Sequence, residues 1–330
     1  MKIAFFEINS WEEEYLREKL RKHELRFFKE PLDDKNIEKI KDCEAISVFI
    51  YSRINSEVLS KLPKLKLIAT RSTGFDHIDI EECKKRKIIA THVPFYGENT
   101  VAEHTFGLIL ALSRNIHKSY VRTLKDDFSI EDLTGFDLKD KTIGIVGGGN
   151  IGMHVARIAK GFQMNVLVYD IQKNRNLSKS IGFKYSELDD LLKNSDIISL
   201  HVPHNKFTHH LINKNKLNIV KRGAILINTS RGGIVDTNAL LFALDKGILG
   251  GAGLDVIEGE ELIREEAQLL YEEGNIEKWR EIVRNHKIFR RDNVVFTPHN
   301  AFNSKEALMR ILDTTIKNIE SDKNRKHIGK

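Results

Sequence analysis

The chain has 330 residues, of which 41% are apolar, 30% are charged and 5 are prolines; this is about twice the length of one domain, so two globular lobes are expected and a disordered or collagen-like chain is excluded. Its 53 basic and 47 acidic side chains leave a net charge of +6, too even a mixture to call for a nucleic-acid partner. The two cysteines lack any zinc-ligand spacing, and the most apolar stretch, Phe106 to Leu112, is far shorter than the roughly twenty residues that cross a bilayer, so no metal and no membrane are expected.

In chain order, the opening apolar run, Met1 to Ser10, is broken by Glu12, Glu13 and Glu14, unlike a signal peptide, and a cytoplasmic location is expected. From Lys2 to Phe95, short β-rich runs (KIAFFEI, LRFFK, AISVFI, LKLIATR, IIATHV) alternate with charged helical runs such as WEEEYLREKLRKH, which predicts an α/β lobe with a parallel sheet. Apolar residues at helical spacing predict a long helix over Asn99 to Asn115 that joins two lobes. A second α/β series follows: TIGIV at 142, VLVYD at 166, SDIISLHV at 195, AILINTS at 224, AGLDV at 252 and NVVFTPH at 293. These strands, rich in Ile, Val and Leu, belong to a sheet covered on both faces. A last helix is expected over Ser304 to Ile319, followed by a basic tail with Lys323, Arg325, Lys326 and Lys330. The fold class is therefore α/β, with two doubly wound parallel-sheet lobes, Rossmann-like or flavodoxin-like, and a cleft between them. The expected domains are 1–96 with 302–330, for substrate, and 97–301, for a dinucleotide.

Gly147, Gly149 and Gly152 after the strand Thr142 to Val146 form a G-x-G-x-x-G turn that opens a helix over Ile151 to Gly161. The first glycine permits the turn, the second lets a pyrophosphate approach and the third lets helix and strand pack; Asn150 and Ile151 would add N–H groups at the helix start. Eighteen residues after Gly152, Asp170 ends a strand where a carboxylate accepts the ribose hydroxyls of NAD and repels the extra phosphate of NADP. Lys173 and Arg175 are close enough to temper that choice, although solvated loop cations are the commoner case.

Three further side chains have the chemistry of anion binding and proton transfer. Arg231 and His299 end strands at the carboxyl edge of the sheet, where ligands of open α/β sheets collect. An arginine fork binds carboxylates, and an imidazole exchanges protons near neutrality. Glu260 is the carboxylate that would favour imidazolium if it paired with that ring. The histidines at 201, 209 and 210 read as structural, without metal-ligand spacing.

The runs NTSRGGIVD at 228, GLDVIEGE at 253 and TPHNAF at 297, with RSTGFDHID at 71 and VPFYGENTVAEHT at 93, resemble the NAD-dependent D-2-hydroxyacid dehydrogenase family, and the D-lactate dehydrogenase branch most. Departures are Gly148, Ser230 and Asn300, and none is a reacting group. The resemblance implies a reversible reduction of a short 2-oxo acid, pyruvate first, with NADH, and makes Arg231, Glu260 and His299 the catalytic residues. It places Asp255 against the nicotinamide carboxamide, Val202 and Pro203 as an apolar wall, and Thr208, Thr229 and Ser230 as hydroxyl or backbone donors to the cofactor. It assigns the substrate carboxylate to Ser72, Thr73 and Gly74, and the pocket aromatics to Tyr51, Tyr96 and Phe302. It also implies a homodimer through the helix Asn99 to Asn115, in which Phe106, Leu108, Ile109, Leu110 and Leu112 surround more than one face. The alternatives are a glyoxylate or hydroxypyruvate reductase and, from another class, an NAD-sensing corepressor built on the same fold.

Overall fold

The computed structural model describes residues 1–260, 276–320 and 328. The basic tail residues Lys323, Arg325, Lys326 and Lys330, and the acidic run after Glu260, lie outside them. The chain divides into two compact units, one of residues 1–96 with 304–330 and the other of 97–303. The second unit thus ends two residues later than the sequence suggests, and includes Phe302.

The first unit is built on five parallel strands: β1 (Lys2–Phe5), β2 (Glu24–Phe27), β3 (Ala45–Val48), β4 (Leu67–Thr70) and β5 (Ile89–Thr91), in the order β2-β1-β3-β4-β5. Both faces are apolar because successive side chains of a strand point to opposite sides. Ile3, Phe5, Leu67 and Ala69 meet Leu16 and Leu20 on one face, where Leu312 and Ile319 of the helix Lys305–Glu320 join them. Ala4, Phe6, Ile46, Val48 and Ile68 meet Ile37, Ile40 and Leu59 on the other. A fully buried Leu, Ile or Phe contributes about 1.5–3 kcal/mol. Leu312 and Ile319, with Ile316 packed beside them, therefore hold the last helix to this sheet.

The second unit carries seven strands: β6 (Thr142–Val146), β7 (Asn165–Tyr169), β8 (Lys184–Tyr185), β9 (Ile197–Leu200), β10 (Ala224–Asn228), β11 (Leu249–Leu254) and β12 (Val294–Phe296), in the order β12-β11-β10-β9-β6-β7-β8, all parallel. The winding reverses between β6 and β9, the position at which doubly wound sheets bind ligands. The strands stop earlier than their composition suggests. β10 ends at Asn228 and β12 at Phe296, so Arg231 and His299 stand three residues past the last ladder position, on loops rather than as strand ends.

The helix Glu98–Ser113 also corrects an expectation. Phe106, Leu108, Ile109 and Leu112 are buried in the unit's own core with Ile143, Ile145, Met153 and Ala156, and Leu110 packs against the same cluster. Two neighbours, the sheet and the helix Asn150–Gly161, already cover these faces, so none is left over to argue for a second subunit. A run of exposed apolar residues lies just downstream, at Ile116, Tyr120, Val121, Leu124, Phe128 and Ile130. Among the described residues no helix is long and apolar enough to cross a membrane, and no group of His, Cys, Asp and Glu could hold a metal ion.

Candidate active site

At the β6–β9 turning point each glycine of the fingerprint has its own constraint. Gly147 has φ +105°, a conformation that a side chain opposes. A Cβ on Gly152 would stand 2.0 Å from the carbonyl oxygen of Gly147, whereas one on Gly149 would meet nothing within 4 Å. The turn is closed where strand and helix pack and open at the start of the helix Asn150–Gly161, where unpaired N–H groups and the positive end of the helix dipole face outward. Asp170 borders this opening. Its Oδ2 accepts from the Gly148 N–H at 2.6 Å and its Oδ1 from the Gln172 N–H at 2.7 Å, and each oxygen keeps further acceptor capacity. Gly148 has little room: a Cβ there would lie 3.2 Å from Val168 and 3.3 Å from Asp170. Lys173 is paired with Glu187 at 2.8 Å, as expected of a surface loop cation.

Past β12, His299 takes φ +54°, which costs a non-glycine residue of order 1 kcal/mol or more and is held only where the surroundings dictate it. Asp255 does so. Its backbone oxygen accepts from the His299 N–H at 2.9 Å. Its Oδ1 accepts from Thr297 Oγ1 at 2.5 Å and from the Asn300 N–H at 2.9 Å, and its Oδ2 from the Ala301 N–H at 2.9 Å. Thus held, the imidazole donates from Nδ1 to Glu260 Oε1 at 2.7 Å, which leaves Nε2 as the nitrogen for proton exchange. Past β10, Arg231 continues in extended backbone and donates from Nη1 to the Ser230 carbonyl at 2.8 Å. Its own carbonyl accepts from Asn228 Nδ2 at 3.0 Å, and Asn228 Oδ1 accepts from the Ser230 N–H at 3.0 Å.

Residues 106–301, more than half of the chain, match the family model described as D-isomer specific 2-hydroxyacid dehydrogenase, NAD binding domain. The chain belongs to this family. The dehydrogenase is 35% identical to the D-lactate dehydrogenase of Escherichia coli over 329 residues, covering 97% of this chain and 96% of that one. It is 40% identical to the glyoxylate reductase of Thermofilum pendens over 294 residues, covering 88% and 81%. Among solved structures, it is similar to the D-lactate dehydrogenase of Aquifex aeolicus complexed with NAD and lactic acid, with a TM-score of 0.86, 39% identity and coverage of 96% and 94%. It is an NAD-dependent 2-hydroxyacid dehydrogenase, and the open turn at Gly149 with Asp170 beside it fits that cofactor.

Several hydroxyls that the sequence offers the cofactor are engaged within the dehydrogenase itself. Thr208 Oγ1 donates to the Pro203 carbonyl at 2.5 Å, Ser230 Oγ to the Leu200 carbonyl at 2.5 Å, and Thr229 Oγ1 meets Thr105 Oγ1 at 3.1 Å. The side chain of Val202 is partly exposed and that of Pro203 exposed. The carboxylate of Asp255 is buried and three-fold bonded, which matches a carboxylate that shapes the histidine loop. His201 bonds Ser199 Oγ at 2.8 Å, and burial pushes its imidazole down to about 3. His210 pairs with Glu258 at 2.7 Å and stacks on His209, so these rings are structural groups.

Sequence reasoning missed His104 and Asn228. From the helix Glu98–Ser113, His104 Nε2 lies 2.9 Å from Thr297 Oγ1 and 3.6 Å from Asp255. Burial lowers its pKa against the opposing pull of Asp255. The only signal for it was its place in VAEHT, and for Asn228 its place at the head of NTSRGG.

In the first unit, the turn at Ser72, Thr73 and Gly74 follows β4. Ser72 Oγ donates to the Gly74 carbonyl at 2.6 Å and Thr73 Oγ1 to the Val93 carbonyl at 2.8 Å, so the turn would receive an anion through its backbone N–H groups. Tyr51 is 42% exposed with its ring edge on Phe49. The Tyr96 carbonyl accepts from Arg310 Nε at 2.6 Å. Phe302 is half-buried, near Gly97.

Proposed function

We propose that this enzyme reduces pyruvate, or a 2-oxo acid as short, to the D-2-hydroxy acid. The observation that carries the reading is the His299 Nδ1 to Glu260 Oε1 bond at 2.7 Å on a loop held by Asp255, with β11 alone between its strand and that of the Arg231 loop at the same sheet edge. Glu260 holds the ring through Nδ1, so Nε2 is the atom that passes a proton to the developing alkoxide. Arg231 binds the substrate carboxylate and polarises the carbonyl. When bound, NADH supplies the hydride; Gly147, Gly149, Asn150, Ile151 and Gly152 hold its phosphates, and Asp170 its ribose. Asp255, Val202, Pro203, Thr208, Thr229 and Ser230 frame the cofactor, chiefly through backbone.

The first unit contributes the N–H groups of Ser72, Thr73 and Gly74 to the substrate carboxylate, and Tyr51, Tyr96 and Phe302 limit the substrate's side chain. Similarity to a D-lactate dehydrogenase solved with lactic acid supports pyruvate, and similarity to a glyoxylate reductase makes glyoxylate the competitor. The two differ by one methyl group, worth about 1–3 kcal/mol. NADH oxidation measured with pyruvate, glyoxylate, hydroxypyruvate, phenylpyruvate and 2-oxoisocaproate tests the choice. The highest kcat/KM is expected for pyruvate, and a higher value for glyoxylate overturns it.

The exposed residues Ile116, Tyr120, Val121, Leu124, Phe128 and Ile130 support a homodimer, since so many large apolar side chains in one segment call for a partner. Sedimentation at micromolar concentration should show twice 37.9 kDa. Two free, buried cysteines support a reducing, cytoplasmic location.

A further inference from the structure

The carboxyl edge of the five-stranded sheet holds polar side chains in its interior. Arg71, the first residue after β4, is 2% exposed. Its Nη2 donates to the carbonyls of Phe6 at 2.6 Å and Glu7 at 2.8 Å, at the end of β1, and its Nη1 to Ser47 Oγ on β3 at 3.1 Å. One guanidinium thus ties the ends of three strands across the point where the winding reverses. Burial pushes this arginine down, against the opposing fields of Glu7 and Glu12. A buried charge survives in such a place only when it is matched in bonds and in sign.

Glu7 supplies both. It sits at φ +55°, outside the comfortable range of a residue with a side chain. Its N–H donates to the Glu30 carbonyl at 3.2 Å, and its own carbonyl holds Arg71. Its Oε1 accepts from Ser52 Oγ at 2.5 Å, and Ser52 Oγ accepts from the Leu32 N–H at 3.0 Å. Burial raises the Glu7 carboxyl, while Ser52, Arg71 and the N–H groups of Tyr51 and Phe49 draw it back. Its Oε2 is buried with no hydrogen-bond partner. The carboxyl therefore lies beneath the loop of Phe49 to Ser52, and the guanidinium is rooted at the start of the Ser72–Gly74 turn.

We propose that Arg71, Glu7 and Ser52 are positioning residues for substrate recognition: bonded to one another and to three strand ends, they fix the backbone of the 72–74 turn and of the loop bearing Tyr51. The inference rests on the reading of that turn as the first unit's contact with the substrate carboxylate. All three belong to the first unit, whereas the acid/base and the cofactor motif belong to the second, so their effect falls on binding of the 2-oxo acid and not on proton or hydride transfer.

The test is steady-state kinetics of Glu7→Gln and Ser52→Ala, two changes that keep or reduce side-chain volume. Glu7→Gln should raise the KM for pyruvate on the order of tenfold, since small misplacements of a binding group have effects of that size or larger. The KM for NADH and kcat should stay within about twofold. Ser52→Ala, which removes one bond and no charge, should move the pyruvate KM in the same direction by about threefold. Unchanged pyruvate KM in both variants overturns the inference, and so does a parallel loss of kcat and NADH binding, which would make the cluster a general support of the fold. A wild-type enzyme active on 2-oxo acids with unmoved variants removes this inference alone, whereas a wild-type enzyme inert towards every 2-oxo acid removes the proposed function and this inference with it.

Discussion

In the five-stranded sheet the winding reverses between β1 and β3, and in the seven-stranded sheet between β6 and β9. The same topology leaves a crevice at the carboxyl ends of both pairs, and the two are treated in opposite ways. The first is filled by the protein's own charges, with Arg71 bonded to Phe6, Glu7 and Ser47. The second is lined by backbone: a Cβ on Gly147 would meet the His201 carbonyl at 2.4 Å, and the space over Gly149 is open. A filled crevice makes a rigid platform for the turns beside it. An open one leaves N–H groups and a helix terminus for a charged ligand.

If the carboxyl edge of the seven-stranded sheet is where chemistry occurs, the largest effect belongs to the histidine on the loop after β12. His299→Ala should lower kcat about a thousandfold, within the range for loss of a positioned acid, with a smaller change in pyruvate KM. Glu260→Gln, which weakens the bond that orients this ring, should lower kcat in the same direction but by less. Reduction at a near-normal rate by His299→Ala would move the chemistry elsewhere.

The two glycines sharpen the contrast between open and closed parts of the turn. Gly149→Ala meets no atom within 4 Å at a φ of −71°. Folding stability should therefore stay within about 0.5 kcal/mol of wild type, while the methyl group occupies space meant for phosphate and NADH affinity falls by at least about tenfold. Gly152→Ala puts a methyl group 2.0 Å from the Gly147 carbonyl and should cost about 1–3 kcal/mol of stability. Titration calorimetry and denaturant unfolding separate the two, and normal NADH binding by Gly149→Ala would place the pyrophosphate elsewhere.

Asp170 sets a smaller effect on the same opening. Unmodified, the enzyme should favour NADH over NADPH by at least about tenfold, because the carboxylate faces any added phosphate. Asp170→Ala should narrow that ratio, and equal use of NADPH by the wild type would turn attention to Arg175.

The same contrast explains what could be read in advance. The cofactor turn was legible because each glycine answers a local demand and the acid follows at a fixed distance in sequence. Strand positions were legible too, but Ile, Val and Leu mark where a chain is buried and not where its ladder stops, so Arg231 and His299 moved from strand ends to loops. The apolar helix at 99–115 was overread: composition shows that faces are apolar, but not that Ile143, Met153 and the neighbouring helix cover them. The first crevice left no trace. An arginine after a strand is usually solvated, and the burial of Arg71 depends on Glu7, 64 residues earlier in the chain.

The smallest prediction concerns what each crevice does with a titratable group. In the first, the field of the Glu7 carboxylate opposes the burial of the Arg71 guanidinium, whereas the second holds the His201 ring with burial pushing it down to about 3. Its partner is the neutral Ser199 hydroxyl at 2.8 Å, and no anion supports a charged ring. In the unfolded chain this histidine takes up a proton near pH 6.5, but in the folded protein it does so only near 3. The neutral ring thus favours the folded state fully above about pH 6.5, and this contribution is lost as the pH falls towards 3, at no more than about 1.4 kcal/mol per pH unit. Part of the residue stays at the surface, which reduces the loss further. Hydrogen exchange of the β6 and β9 amides at pH 7 and pH 5 should therefore show a larger fall in opening free energy for wild type than for His201→Gln, by about 1–2 kcal/mol. The other histidines titrate alike in both proteins and cancel in the difference. Equal falls would mean that the His201 ring gains its proton in the folded state as readily as in the unfolded one, and the second crevice would then tolerate charge as the first does.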